Sequence, residues 1–227
     1  MKKVRYNLVD EIRGLAIILM IIFHFFYDLN ILSFVKIDFA KDPFWWGFPR
    51  VIVFLFFLSV GIGLPLAHTP QIKWNKFWQR FLKISGFALL ITLVTYFLFP
   101  DRWVYFGTLH SIAVCSVLAL PFLKLPKVGL IIFLALAIPS TFFNLDIPWI
   151  ALHDFSMDYI SPFPWFGVVA LGIFFFHLKF HHLNLSKWGL GPLLGPLRYM
   201  GKHSLVIYVL HQPIIFGTLF ALSKLIS

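Results

Sequence analysis

Charge is scarce in this chain of 227 residues: Asp, Glu, Lys and Arg together make 12% of it, and only nine residues are acidic. A soluble domain carries about twice that fraction, which excludes an ordinary water-facing globule. Cysteine is almost absent. The one thiol, Cys115, lies inside an apolar run, so there is no disulfide framework and the residue reads as a small core side chain. No repeat of fixed period, low-complexity tract or soluble domain is present. The net charge of +10 therefore has no soluble basic domain to carry it, which excludes nucleic acid as a partner. Basic residues in such a chain report topology instead.

Apolar residues are abundant, at 60% with 29 Phe. They fall into seven runs: Ile12 to Leu32, Val51 to Ala67, Phe81 to Phe99, Thr108 to Leu123, Val128 to Phe143, Phe163 to His177 and Ser204 to Leu222. Several sit at the short end of what a hydrocarbon core of about 30 Å needs. The first is too long and too charged for a cleavable signal peptide and has no small-residue cleavage site, so it reads as a retained span. The predicted fold is all-α: one transmembrane domain over residues 1–227, a multi-pass protein of the inner (plasma) membrane with about seven helices and a cytoplasmic N-terminus.

Positive charge supports that count. With the N-terminus inside, the inner segments collect Lys2, Lys3, Arg5, Arg13, Lys73, Lys76, Arg80, Lys83, Lys124, Lys127, Lys179, Lys187, Arg198 and Lys202. The outer segments hold Lys36, Lys41, Arg50, Arg102 and Lys224. The bias alternates at every crossing, as the positive-inside rule requires. Asp38, Asp42, Asp101, Asp146, Asp154 and Asp158 all fall outside. Trp45, Trp46, Trp103, Trp149 and Trp165 mark outer span ends, and Trp74, Trp78 and Trp188 inner ones. The outer connectors, Ser33 to Arg50 and Asn144 to Pro162, suit either a lid over a site or plain loop packing.

Three ionisable residues share the first run: Arg13, His24 and Asp28. Such groups inside a span are costly and point to function. His24 and Asp28, four residues apart, occupy one helical face, where the carboxylate is expected to orient and charge-support the imidazole. Arg13 stands about 16 Å below His24, near the inner surface. His211 on the last run is about 14 Å from that surface, a depth close to that of His24. His110 is shallower, and Ser111, Thr108 and Gly107 beside it offer polar lining for an entrance or simply close packing. His177, His181 and His182 form a loose inner cluster with no Cys or acid nearby, so no metal is predicted. His68, His153 and His203 sit at span ends or in connectors. A histidine in low dielectric with a carboxylate partner can act as a general base or accept an acyl group. It serves equally well in a proton relay or as an interhelical hydrogen bond, and spacing leaves these alternatives open.

The string Val9-Asp10-Glu11-Ile12-Arg13-Gly14-Leu15-Ala16, followed by His24, resembles the opening of the transmembrane acyltransferase superfamily. Further matches are Phe56-Phe57-Leu58-Ser59-Val60-Gly61, Gly107-Thr108-Leu109-His110-Ser111-Ile112-Ala113 and Pro164-Trp165-Phe166-Gly167-Val168. The close runs from Gly201-Lys202-His203-Ser204 to Leu210-His211-Gln212-Pro213. The chain is most similar to small bacterial members of the heparan-alpha-glucosaminide N-acetyltransferase-like branch. That resemblance implies an acetyl-CoA-dependent transferase passing an acetyl group to an extracytoplasmic glycan or amino sugar. It implies Arg13 with Arg80 or Lys83 at the CoA phosphates and His211 lining the acyl-CoA cavity; the polar entrance at His110 and Ser111 and the outer segment holding Trp165 are read as the acceptor side. In lysosomal members the histidine proposed to accept the acetyl group follows this first helix; Ile31 to Pro49 here contains none. Direct transfer with His24 as base and Asp28 as its support is therefore the expectation. The competing class is a proton-coupled carrier or a lipid-linked sugar handling protein, and a homo-oligomer is compatible with either.

Overall fold

The computed structural model describes residues 6–143, 145, 147–152, 156–189 and 191–226. Lys2, Lys3, Arg5, Asp146, His153 and Asp154, used in the charge and histidine readings, lie outside them. The described residues are all-α, with eight helices: α1 (Leu8–Ile31), α2 (Pro43–His68), α3 (Trp74–Leu98), α4 (Thr108–Leu118), α5 (Pro126–Phe143), α6 (Pro162–His177), α7 (Gly191–Lys202) and α8 (Ser204–Ile226). Helices α1, α2, α3 and α8 are long and apolar enough to cross a membrane; α4, α5 and α6 are shorter apolar helices. On α3 the side chains of Leu82, Leu89, Phe97 and Leu98 are all more than half exposed, a surface suited to hydrocarbon rather than water.

Six of the seven predicted runs each coincide with one helix, with several boundaries moved. Helix α2 starts eight residues before Val51 because Asp42 caps it: its carboxylate accepts the N–H groups of Phe44 at 2.9 Å and Trp45 at 3.3 Å, with Pro43 at the first helical position. The run Thr108 to Leu123 is not one helix. It stops at Leu118 and continues as a 3-10 turn, Leu120–Phe122, because Pro121 has no N–H to extend the α ladder. Helix α7 was unforeseen, since Gly191, Pro192, Gly195 and Pro196 read as loop.

The chain divides into two compact units, residues 1–56 with 184–227 and residues 57–183. In the first, α1 packs against α7 and α8. The α1–α7 crossing is tight because two glycines face it. A Cβ on Gly14 would lie 2.0 Å from the Leu197 carbonyl oxygen, and one on Gly201 would lie 1.8 Å from that of Asp10. Beside the crossing the Glu11 carboxylate, almost fully buried, receives both Nε and Nη2 of Arg198 at 2.7 Å. That pair explains why a Gly/Pro-rich segment stays helical: tertiary contact overrides local propensity.

In the second unit α6 packs on α5 and α4, and α3 on α4. Its interior holds Phe57, Ile62, Leu64, Val169, Ala170 and Ile173, each with no exposed surface. Gly61 lets α2 approach the α6 backbone, where a Cβ would meet the Val169 oxygen at 2.1 Å. The N-terminus of α4 is satisfied by Asp158, whose carboxylate accepts the Thr108 N–H at 3.0 Å and its hydroxyl at 3.2 Å.

Candidate functional site

His24 and His211 are brought together by the packing of α1 on α8. Their ring centroids are 4.7 Å apart, with planes inclined at 64°. His211 Nδ1 lies 2.6 Å from the Tyr208 carbonyl oxygen, an acceptor, so Nδ1 carries the hydrogen and donates it. The neutral ring is thereby fixed with its lone pair on Nε2, which is buried and has no hydrogen-bond partner. His24 Nδ1 is likewise buried without a partner.

No hydrogen bond joins His24 and Asp28, the direct support expected of the carboxylate. Asp28 is completely buried, and its Oδ1 accepts the Gln212 side-chain N–H at 2.9 Å. The other carboxylate oxygen, Oδ2, has no partner, nor does Gln212 Oε1. The reason is geometric: a helical i, i+4 pair shares a face, but α8 offers Asp28 an amide donor at the same level, whereas the His24 ring is turned to His211. Gln212 was absent from the predicted site residues. A legible signal existed, a Gln beside a His within an apolar run before Pro213.

An aromatic wall closes on His24 from the same unit. Phe23 meets the His24 ring edge-on at 5.5 Å and also touches Tyr27, Phe39, Trp45 and Phe48, with centroids between 5.6 and 6.4 Å. Phe39 belongs to the connector between α1 and α2, so part of that connector packs over α1. Arg13, partly buried three turns below on α1, is in the first unit.

Arg80, Lys83, His110, Ser111 and Trp165 all lie in the second unit. Arg80 and Lys83 are on α3, the former half-buried and the latter exposed. Near the start of α3 is a half-open hollow of ≈ 500 Å³, lined among others by His68, Gln71, Trp74, Pro121 and Lys124. His110 is committed to structure: its Nδ1 accepts the Gly107 N–H at 3.1 Å, so Nε2–H donates to Thr92 Oγ1 at 3.1 Å. The Thr92 hydroxyl in turn donates to the Val104 carbonyl at 2.7 Å. Ser111 is fully buried beside the Cys115 thiol one turn along α4, and Trp165 packs at 5.9 Å against Phe57.

In the cluster of His177, His181 and His182, His181 stacks on Phe176 at 4.6 Å with His182 beside it at 4.4 Å. Burial, reinforced by His182, pushes the His181 imidazole below its usual range. His177 Nε2 donates to the Leu123 carbonyl at 2.8 Å. Among the described residues no group of three His, Cys, Asp or Glu side chains is placed to hold a metal ion.

In comparison with protein families, the model described as heparan-alpha-glucosaminide N-acetyltransferase, catalytic, aligns with residues 5–213. That range includes every residue of the His24, Asp28, His211 and Gln212 cluster. Comparisons with curated proteins and with solved structures give no match.

Proposed function

This chain belongs to the heparan-alpha-glucosaminide N-acetyltransferase catalytic family, and on that premise we propose that it moves an acetyl group from cytoplasmic acetyl-CoA to the amine of an extracytoplasmic amino sugar or glycan. Membership and the apolar helices make it a multi-pass membrane protein of an acetyltransferase family whose co-substrate is acetyl-CoA. The proposed topology has seven crossings and a cytoplasmic N-terminus, which sets the start of α1 on the acetyl-CoA side.

The observation that carries the reading is the pair of imidazoles, half-buried His24 and buried His211, in T-shaped contact between otherwise apolar helices. The thioester supplies an activated acetyl group and a good leaving thiolate. His24 takes the proton that the acceptor amine loses as its nitrogen bonds to the acetyl carbon, which is general-base work. His211, with its lone pair held on Nε2 by the Tyr208 carbonyl, is the neighbour able to stabilise the resulting imidazolium and to line the acyl-CoA cavity. Arg13 in one unit, and Arg80 and Lys83 in the other, are each candidates for the CoA phosphates, a task for which guanidinium groups are well shaped. His110, Ser111 and Trp165 are assigned to the acceptor side.

The test is transfer from labelled acetyl-CoA to glucosamine by the full chain in proteoliposomes. Wild type incorporates label, and a folded His24→Ala variant loses about 10²-fold or more. Normal incorporation by that variant would remove His24 as the base. A wild-type chain that acetylates no amino sugar, and whose melting temperature ignores both CoA and acetyl-CoA, would point to the carrier class instead.

A further inference from the structure

The acidic side chain of the cluster is left without a task by the geometry above. Asp28 is completely buried in a span, makes no hydrogen bond with His24, and pairs with no cationic side chain among the described residues. A carboxylate in that position is costly unless a positive or donor-rich group meets it. Its one protein partner, Gln212 Nε2, donates to Oδ1 at 2.9 Å. The orientation of the Gln212 amide follows from this, since its oxygen facing the carboxylate would be repulsive. Gln212 Oε1 is thus turned away from Asp28 as a second acceptor. Asp28 Oδ2 and Gln212 Oε1 are both buried and both unpartnered, and His24 Nδ1, four residues from Asp28 on the same helix, is a third such atom.

We propose that Asp28 and Gln212 form the binding site for the ammonium group of the acceptor, beside His24. This rests on the transferase reading above and deepens it. Two oxygens and an imidazole nitrogen match the three N–H donors of a primary ammonium. Two oxygens are too few for an alkali or alkaline-earth cation, which takes at least six. A neutral hydroxyl would bring one donor and no charge to offset the carboxylate. Gln212 acts here as a positioning residue as well as an acceptor, because its N–H holds the carboxylate in place. The balance is R–NH3+ plus acetyl-CoA giving R–NH–CO–CH3, CoA–SH and H+. The N–C bond forms and the C–S bond breaks; one proton ends on the thiolate and the other leaves through His24.

The test compares two acceptors in proteoliposomes containing the full chain. Glucosamine presents an ammonium near neutral pH, and methoxyamine remains a neutral amine. In Asp28→Asn, which is isosteric and still accepts from Gln212, kcat/KM for glucosamine is expected to fall at least about tenfold further than for methoxyamine, chiefly through KM. Gln212→Met, which keeps volume and removes both polar atoms, shows the same selectivity in smaller measure. Equal losses on the two acceptors, or no loss on glucosamine, would overturn the proposal and leave Asp28 and Gln212 as helix-packing groups. Binding is read separately, as the rise in melting temperature with glucosamine alone. If wild type acetylates nothing yet glucosamine stabilises it and not Asp28→Asn, the transferase reading fails and the ammonium site stands. If glucosamine stabilises neither protein, the ammonium site falls whatever the turnover.

Discussion

The His24 ring stands against that of His211 with centroids 4.7 Å apart, and the second ring is held in one tautomer by the Tyr208 carbonyl. A proton taken up by His24 therefore arrives beside a lone pair. The two side chains are expected to act as a unit, so His24→Ala and His211→Ala each lower kcat by about 10²–10⁴. The double variant is little worse than the poorer single one. Single-turnover rates with labelled acetyl-CoA check this; multiplicative losses would show two independent roles.

The α1–α7 crossing depends on hydrogen in place of a methyl group. Gly14→Ala and Gly201→Ala each push a Cβ into backbone, at Leu197 and Asp10. Overpacking costs about 1–3 kcal/mol even where side chains can shift, and backbone yields less readily. A lowered melting temperature in detergent is the expected result for both variants. Gly86→Ala, where a Cβ meets nothing within 4 Å, serves as the control that leaves melting unaltered.

The Glu11–Arg198 pair is asymmetric, with the Glu11 side chain 2% exposed and that of Arg198 28%. Removing arginine strands a buried carboxylate, whereas removing the carboxylate leaves a guanidinium able to reach water. Arg198→Ala is expected to cost about 3 kcal/mol, and Glu11→Gln about 1 kcal/mol or less. Chemical unfolding of the two variants measures the difference, and equal losses would contradict it.

Acid should destabilise the fold in part through His181. Its folded value lies below the unfolded one of about 6.5, so the unfolded chain binds the proton first. Stability is then present above that unfolded value and declines as pH falls through it. Melting temperature should drop between pH 7.5 and 5.5. His181→Phe, which keeps a ring against Phe176, should flatten part of that slope. An unchanged slope would assign the effect to other groups.

How much of this was legible differs from residue to residue. Long apolar runs made α1, α2, α3 and α8 visible, because a span must satisfy its backbone internally and the helix is the local way to do so. The depths of His24 and His211 followed from residue rise alone, and their meeting agrees with it. The end of α4 at Leu118 was hidden by a run whose hydropathy continues past Pro121. Helix α7 was hidden by its glycines and prolines.

Composition and order alone determined an all-α membrane chain and placed Arg13, His24 and Asp28 along one helix, since hydropathy and a fixed rise per residue are local properties. Only the tertiary structure decided that Asp28 turns to Gln212, that His24 faces His211, and that Gly14 and Gly201 admit α7. Those outcomes depend on which side chains a neighbouring helix presents at a given level. Residues 184 positions apart in sequence settle that through contact, and no local pattern records it.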